Sequence, residues 1–178
     1  ALGDSAPAKP TASAKTLIPR DTLFGNPDRA GVQISPDGKS ISFISAVDGV
    51  MNVWVAPADK PDEARPVTKD TVRGVRSYFW AFNNSNILYI QDSGGDENWN
   101  VYSTDIATAK TTNITPIKGV AAQIEEVSEK FPNEIIVGLN DRDPRLHDLY
   151  RVNIQTGERK LLIENPGSIE GDICAGIT

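Results

Sequence analysis

The chain has 178 residues, and its 18 basic and 24 acidic side chains give a net charge of −6 at pH 7. This acidic balance, without any run of Lys or Arg, argues against binding to nucleic acid or to a membrane surface, because both need basic patches. The single cysteine, Cys174, excludes an internal disulfide and a cysteine metal cluster, and the short apolar runs are far from the length of a membrane span.

The first 16 residues are rich in Ala, Pro, Ser and Lys and contain few large apolar groups, which predicts a flexible leader. Residues 17–31 form a lead-in segment that Pro19 and Pro27 interrupt. The leader lacks the apolar core of an intact signal peptide but fits the mature end that remains after cleavage. We therefore expect a periplasmic or secreted location, with a cytoplasmic one as the alternative.

A turn followed by a short apolar strand occurs three times, with equivalent positions at Ile41, Ile87 and Ile135, which are 46 and 48 residues apart. A repeat of roughly 40–50 residues that contains only short strands is typical of propeller blades. Each repeat has room for four strands, so the sequence predicts an all-β fold: a partial β-propeller of about three four-stranded antiparallel blades. The expected limits are 32–70, 77–116 and 123–164, within a propeller region of 32–167.

One strand in each repeat carries an aromatic residue at the same position, namely Trp54, Tyr102 and Tyr150. We expect these rings to pack between blades rather than to stack on a ligand, because large aromatic side chains dominate the energetics of packed cores. Residues 168–178 can open a further blade or form a tail, but they are too few to complete a blade. Three blades leave two open edges, so we expect the chain to self-associate or to be part of a longer polypeptide.

Two charged loops supply the candidate site residues. The first loop contains Asp96 and Glu97, and the second contains Arg142, Asp143, Arg145 and His147. These residues can face a substrate or another domain; the alternative is that they are solvated loop residues with local ion pairs. The Asp and Asn residues around Asp96 do not follow the EF-hand spacing, so no metal and no cofactor is expected.

Three stretches resemble a known family. The turn at 35–39 with the strand after it is similar to the propeller repeat of TolB-like proteins and of the prolyl oligopeptidase family. Residues 92–102 and 137–151 resemble the second-blade and third-blade segments of bacterial dipeptidyl-peptidase-like and acylaminoacyl-peptidase-like members. The resemblance, which covers about residues 18–167, implies an N-terminal propeller that shields the Ser-Asp-His triad of a C-terminal α/β-hydrolase domain and admits only short peptides.

The chain contains no Gly-x-Ser-x-Gly motif and has one histidine, so no catalytic residue is assigned. The resemblance therefore predicts a non-catalytic propeller fragment of a serine peptidase. Its partners would be the hydrolase domain of the parent polypeptide and a peptide substrate, whose N-terminal ammonium Asp96 and Glu97 could hold. The alternative is a TolB-like interaction module that binds a protein partner across the propeller face.

Overall fold

The computed structural model describes residues 28–167, which form three four-stranded antiparallel sheets in which successive strands pair. The first sheet consists of β1 (Ala30–Ile34), β2 (Ser40–Val47), β3 (Val50–Pro57) and β4 (Arg65–Pro66), with a 3₁₀ turn at Pro61–Glu63. The second consists of β5 (Phe79–Trp80), β6 (Asn86–Gln91), β7 (Asn100–Asp105) and β8 (Lys110–Asn113). The third consists of β9 (Ala122–Val127), β10 (Glu134–Asp143), β11 (Leu146–Asn153) and β12 (Arg159–Ile163).

The predicted all-β class with three four-stranded units is confirmed. The predicted leader, most of the lead-in segment, the tail at 168–178 and Cys174 lie outside the described residues. Within residues 28–167, no helix is long and apolar enough to cross a membrane.

The strand register repeats from sheet to sheet. Trp54 lies opposite Phe43 in the first sheet, Tyr102 opposite Tyr89 in the second, and Tyr150 opposite Val137 in the third. These pairs occupy equivalent positions in the three sheets. Alternate residues of a strand point to opposite faces, so a one-residue slip in register would move the apolar side chains from the core face to the other face. The alignment of the three repeats in the sequence is therefore also the alignment of the three sheets.

The loops divide between two faces of the array. One face, which we call the turn face, carries the turns between the first two strands of each sheet. There, a backbone hydrogen bond joins the residue after the third strand of each sheet to the turn between its first two strands. The three bonds are Ala58 N to Lys39 O (2.8 Å), Ile106 N to Ser85 O (2.9 Å) and Ile154 N to Asn133 O (3.0 Å). The opposite, hairpin face carries the β2–β3, β6–β7 and β10–β11 hairpins and the connectors between sheets.

Two apolar clusters fill the spaces between neighbouring sheets. Ile44, Val53 and Ile87 belong to the cluster between the first and second sheets, whereas Leu88 and Val137 belong to the cluster between the second and third. Clusters of this kind supply most of the free energy that holds packed sheets together, because they remove apolar surface from water. The core of the molecule therefore lies between the sheets.

The three aromatic residues at equivalent strand positions differ in their surroundings. Tyr102 packs against the first cluster and Tyr150 against the second, as the sequence predicted for rings between blades. Trp54 faces away from the second sheet, is half-buried, and stacks on Phe43 of its own sheet with the ring centroids 6.4 Å apart. Trp54 therefore packs within its own sheet rather than between two of the described sheets.

Candidate functional site

Asp96 and Glu97 lie at the exposed tip of the β6–β7 hairpin. The Asp96 carboxylate accepts hydrogen bonds from the backbone N–H groups of Ser93 and Asn98, both at 3.1 Å, and from Asn98 Nδ2 at 3.2 Å. These bonds, led by the one from the Asn98 side chain, hold the pKa of Asp96 below its usual value. Asp96 therefore organises its own loop, whereas the exposed Glu97 side chain has no hydrogen bond or ion pair among the described residues.

Arg142 is held within the third sheet. Its guanidinium makes two 2.7 Å bonds to the carboxylate of Asp148, whose side chain is 2% exposed, and a third to the carbonyl of Asn165. The backbone N–H of Asn165 also donates to Asp148, and the Arg142 bonds hold the pKa of Asp148 below its usual value. Arg142 thus fastens the end of β10 to the segment after β12, and its N–H donors are largely committed.

Asp143 and Arg145 form a local ion pair at the tip of the β10–β11 hairpin. Arg145 Nη2 lies 2.8 Å from Asp143 Oδ2, and the Arg145 backbone N–H donates to Asp143 Oδ1 at 2.9 Å. The Arg145 side chain is 84% exposed. The pair is local to the loop, and exposed pairs of this kind contribute little to the free energy of unfolding.

His147 belongs to a different surface. It lies one residue before Asp148, so its side chain points away from the second sheet. Its Nε2 atom is buried and has no hydrogen-bond partner among the described residues. A Cβ built on Gly138 would lie 3.2 Å from His147 Cβ and 2.9 Å from Glu125 Oε1, so both side chains crowd the space that a glycine leaves.

The six predicted residues therefore do not form one site. Asp96 and Glu97 lie on the second sheet, and Arg142, Asp143 and Arg145 lie at the hairpin end of the third sheet. His147 lies on the face of the third sheet that points away from the second. No hydrogen bond or ion pair joins the first two to the other four within residues 28–167.

A cleft that the sequence interpretation missed lies on the hairpin face, between the connector of the first two sheets and the β6–β7 hairpin. It has a volume of about 180 Å³, and we call it the arginine cleft. Its lining comprises Arg73, Gly74, Arg76, Ser77, Ile90, Gln91, Asp92 and Trp99. The available signal was the Arg73-x-x-Arg76 spacing in a connector of an otherwise acidic chain.

The connector that forms one wall of the cleft is fixed by short-range bonds. The Asp70 carboxylate accepts the backbone N–H groups of Val72 at 2.7 Å and Arg73 at 3.2 Å, and it also bonds to the Gln91 side chain. Burial alone would raise the pKa of Asp70, but these donors outweigh it and the pKa is lowered. Gly74 then passes Met51 so closely that a Cβ would lie 3.0 Å from the Met51 backbone.

The two arginines of the cleft differ in their partners. Arg73 Nε lies 3.3 Å from Oδ1 of Asp92, whose side chain is 3% exposed. Arg76 is exposed and has neither a hydrogen bond nor an ion pair within residues 28–167. The cleft therefore presents one engaged and one free guanidinium.

Comparison of the sequence with curated proteins gives two relatives. The chain is 54% identical to dipeptidyl aminopeptidase BIII of Pseudoxanthomonas mexicana over 157 residues, which cover 88% of this chain and 23% of that protein. It is 32% identical to dipeptidyl peptidase family member 6 of Caenorhabditis elegans over 84% of this chain and 21% of that protein. The chain is related to the dipeptidyl-peptidase-like proteins. It spans about a quarter of their length or less, and no family model matches it.

Solved structures define the fold of the chain. The β-propeller domain of the trilobed protease from Pyrococcus furiosus matches with a TM-score of 0.54 and 17% identity, over 78% of this chain and 43% of that chain. Pyrococcus horikoshii acylaminoacyl peptidase matches with a TM-score of 0.52 and 20% identity, over 77% of this chain and 25% of that chain. A TolB protein from Agrobacterium tumefaciens matches with a TM-score of 0.51 and 18% identity, over 74% and 45% of the two chains. The predicted partial β-propeller is confirmed, and the three sheets are its blades.

Proposed function

We propose that this chain is the non-catalytic propeller portion of a serine peptidase that acts on short peptides. In this proposal it controls the access of substrate to a hydrolase domain carried elsewhere in the parent polypeptide. The observation that supports the proposal best is the 54% identity to dipeptidyl aminopeptidase BIII over 88% of the chain. The sequence agrees, since it contains no Gly-x-Ser-x-Gly motif and has His147 as its one histidine.

The blade packing favours a filter for substrate size. Apolar clusters and hydrogen bonds close both spaces between the described blades, so a peptide cannot pass between them without breaking the core. In the proposed role, substrate enters through an opening in the completed propeller and meets the loops of the hairpin face. Folded proteins are excluded there by their size.

Among the predicted substrate contacts, the geometry favours Glu97. The carboxylate of Asp96 and the guanidinium of Arg142 already have partners, whereas the Glu97 side chain has none among the described residues. A free carboxylate on an exposed hairpin can pair with the ammonium of a peptide N-terminus. We therefore propose Glu97 as the acidic contact.

The test uses the complete product of the gene. We expect hydrolysis of dipeptidyl p-nitroanilides that a serine-directed inhibitor blocks. With peptides that share one N-terminal dipeptide, kcat/KM should fall steeply as the peptide is lengthened from 4 to about 40 residues. Glu97→Gln should raise KM for substrates with a free N-terminus, and the exposed Glu158→Gln serves as the matched control.

Three results would contradict the proposal. A complete gene product made only of further blades would favour the TolB-like interaction module instead. Peptidase activity that does not depend on peptide length would remove the gating role. An unchanged KM in Glu97→Gln would remove the acidic contact.

We also propose that the protein is exported to the periplasm or beyond. The support is the composition of residues 1–16, which are mostly small and polar and include many Ala, Pro and Ser residues. Fractionation of cells that express the gene at its natural level is the measurement, and recovery in the cytoplasmic fraction alone would contradict the proposal.

A further inference from the structure

The arginine cleft on the hairpin face has the features of a ligand site. We propose that it binds the carboxylate of a short peptide, with Arg76 as the main contact and the side chains of Ile90 and Trp99 against the apolar part of the ligand. The identification of the ligand as a peptide rests on the proposed function; the carboxylate chemistry rests on the cleft alone.

The unfilled hydrogen-bonding capacity of the cleft consists mainly of donors. Arg76, the hydroxyl of Ser77 and the indole N–H of Trp99 have no partner among residues 28–167. The acidic group in the lining, Asp92, already pairs with Arg73, and the Gln91 amide already donates to Asp70. A ligand that completes the cleft must therefore bring acceptors, and a guanidinium matches a carboxylate through two parallel N–H bonds.

Apolar surface lies beside the free guanidinium. Ile90 is 38% exposed although its strand partner Val101 is fully buried, and Trp99 is half-buried. Exposed aliphatic and aromatic side chains around a few polar groups are typical of small-molecule sites. The ligand class is therefore a carboxylate attached to an apolar group, and the cleft has about the volume of one or two residues.

The cleft is formed before any ligand arrives. The Asp70 turn, the Gly74–Met51 contact and the Asp92–Arg73 pair fix the connector against its neighbours. Because this wall is already ordered, binding of a ligand costs less conformational entropy than it would with a mobile wall.

The apolar part of the ligand distinguishes a peptide carboxylate from phosphate. Asp96 and Glu97 lie at the tip of the hairpin that forms one wall. Their repulsion and the attraction of Arg76 both grow in proportion to the charge of an incoming anion, so added charge gives no selectivity by itself. A monocarboxylate with an apolar group that contacts Ile90 and Trp99 should therefore bind better than phosphate, which has no apolar part.

The experiment measures binding to the purified 178-residue chain by NMR titration or calorimetry, with N-acetylated probes that have no ammonium group. Acetyl-Gly-Leu should bind with a saturable Kd, and its C-terminal amide at least about tenfold more weakly. Arg76→Gln should raise the Kd for the acid about tenfold or more, as expected for loss of a hydrogen bond between charged groups. Arg159→Gln, which changes an exposed arginine of β12, should leave it within about twofold.

Two further probes identify the source of the carboxylate. Acetyl-Asp-Leu-amide carries only a side-chain carboxylate, so comparison of its Kd with that of acetyl-Gly-Leu shows which carboxylate the cleft prefers. Inorganic phosphate is the second of these probes. If phosphate binds as tightly as the peptide acid, the cleft is a general anion site and the peptide assignment is wrong.

Three other results would overturn the proposal: no saturable binding at tens of millimolar, equal binding of acid and amide, or an unchanged Kd in Arg76→Gln. The measured quantity is the Kd of each probe, which does not depend on hydrolysis. A gene product without peptidase activity would contradict the proposed function and leave a positive binding result intact.

Discussion

Trp80 Nε1 donates a hydrogen bond to Ser42 Oγ at 2.8 Å, across the interface between the first and second blades. Ser42 Oγ also lies 2.8 Å from the hydroxyl of Tyr78, which donates to the carbonyl of Gly31 at 2.7 Å. Ser42 is fully buried, so no water can replace these bonds. One serine thus joins two aromatic residues of the next blade to the strand that carries it.

Ser42→Ala tests this connection. The substitution leaves the buried indole N–H of Trp80 without an acceptor, and we expect a loss of about 2–3 kcal/mol in the free energy of unfolding. Ser45→Ala is the control, because the Ser45 hydroxyl makes a solvent-exposed bond to the carbonyl of Asp28. Equal urea midpoints for the two variants would show that the interface does not depend on the buried bond.

The two arginine pairs of the third blade should differ in their contribution to stability. Arg142→Gln leaves the Asp148 carboxylate, which is 2% exposed, with one backbone donor, and we expect a clear decrease in the denaturation midpoint. Arg145→Gln breaks an exposed pair and should leave the midpoint close to that of the parent. Chemical denaturation of both variants at pH 7 is the measurement, and similar midpoints would contradict the structural role given to Arg142.

Tyr89 should make the protein sensitive to alkali. Burial raises the pKa of Tyr89 to about 12, whereas the phenol of the unfolded chain ionises near its usual value of 10. The unfolded state therefore loses its proton first, so this contribution is complete below pH 10 and declines as the pH rises towards 12. Between pH 9 and 11.5, Tyr89→Phe should lose about 1–2 kcal/mol less stability than the parent. Parallel stability–pH curves would refute the shift.

Substitutions at two glycines distinguish the energetic cost of backbone strain from the cost of steric crowding. Gly74 and Gly94 both have positive φ, at +75° and +70°, but only at Gly74 would a Cβ meet other atoms, 3.0 Å from the Met51 backbone. Gly94→Ala should cost about 1 kcal/mol from φ alone. Gly74→Ala should cost about 1–3 kcal/mol more, because the connector must move. Thermal unfolding of both variants measures the difference, and equal values would show that the connector is compliant.

The face of the third blade that points away from the second blade should drive self-association of the isolated chain. Phe131 is 43% exposed there, with the Arg151 guanidinium 4.8 Å from its ring centroid and Ile136 in the same groove. Exposed apolar patches on sheet faces and unpaired strand edges favour association. We expect oligomers in light scattering at tens of micromolar, reduced in Phe131→Glu but not in Val72→Glu, which changes an exposed residue of the hairpin face. A monomeric parent chain would exclude this association.

The repeat and the four-stranded antiparallel blades could be predicted because they depend on local patterns. The differences among equivalent residues could not. Ile87 and Ile135 are buried at 0% and 2% exposure, whereas Ile41 is half-buried because no described blade precedes the first one. Likewise, one of the hydrogen bonds of the Arg142 guanidinium goes to the carbonyl of Asn165, which is distant in sequence. The arginine cleft lies between a connector and a hairpin about fifteen residues further along the chain. Such contacts are set by tertiary packing, which a single sequence does not display.

Both interfaces between blades combine apolar packing with hydrogen bonds, but the first also contains a buried side-chain bond, and this should give the two interfaces different responses to temperature. Directional bonds such as Trp80–Ser42 accompany the apolar cluster of the first interface, whereas aliphatic side chains such as Leu88, Val101 and Val137 dominate the second. Apolar association weakens on cooling. Near the freezing point, the interface between the second and third blades is therefore expected to weaken before the interface between the first and second. The third blade would then move relative to the other two at low temperature, and the three blades would move as one body at higher temperature.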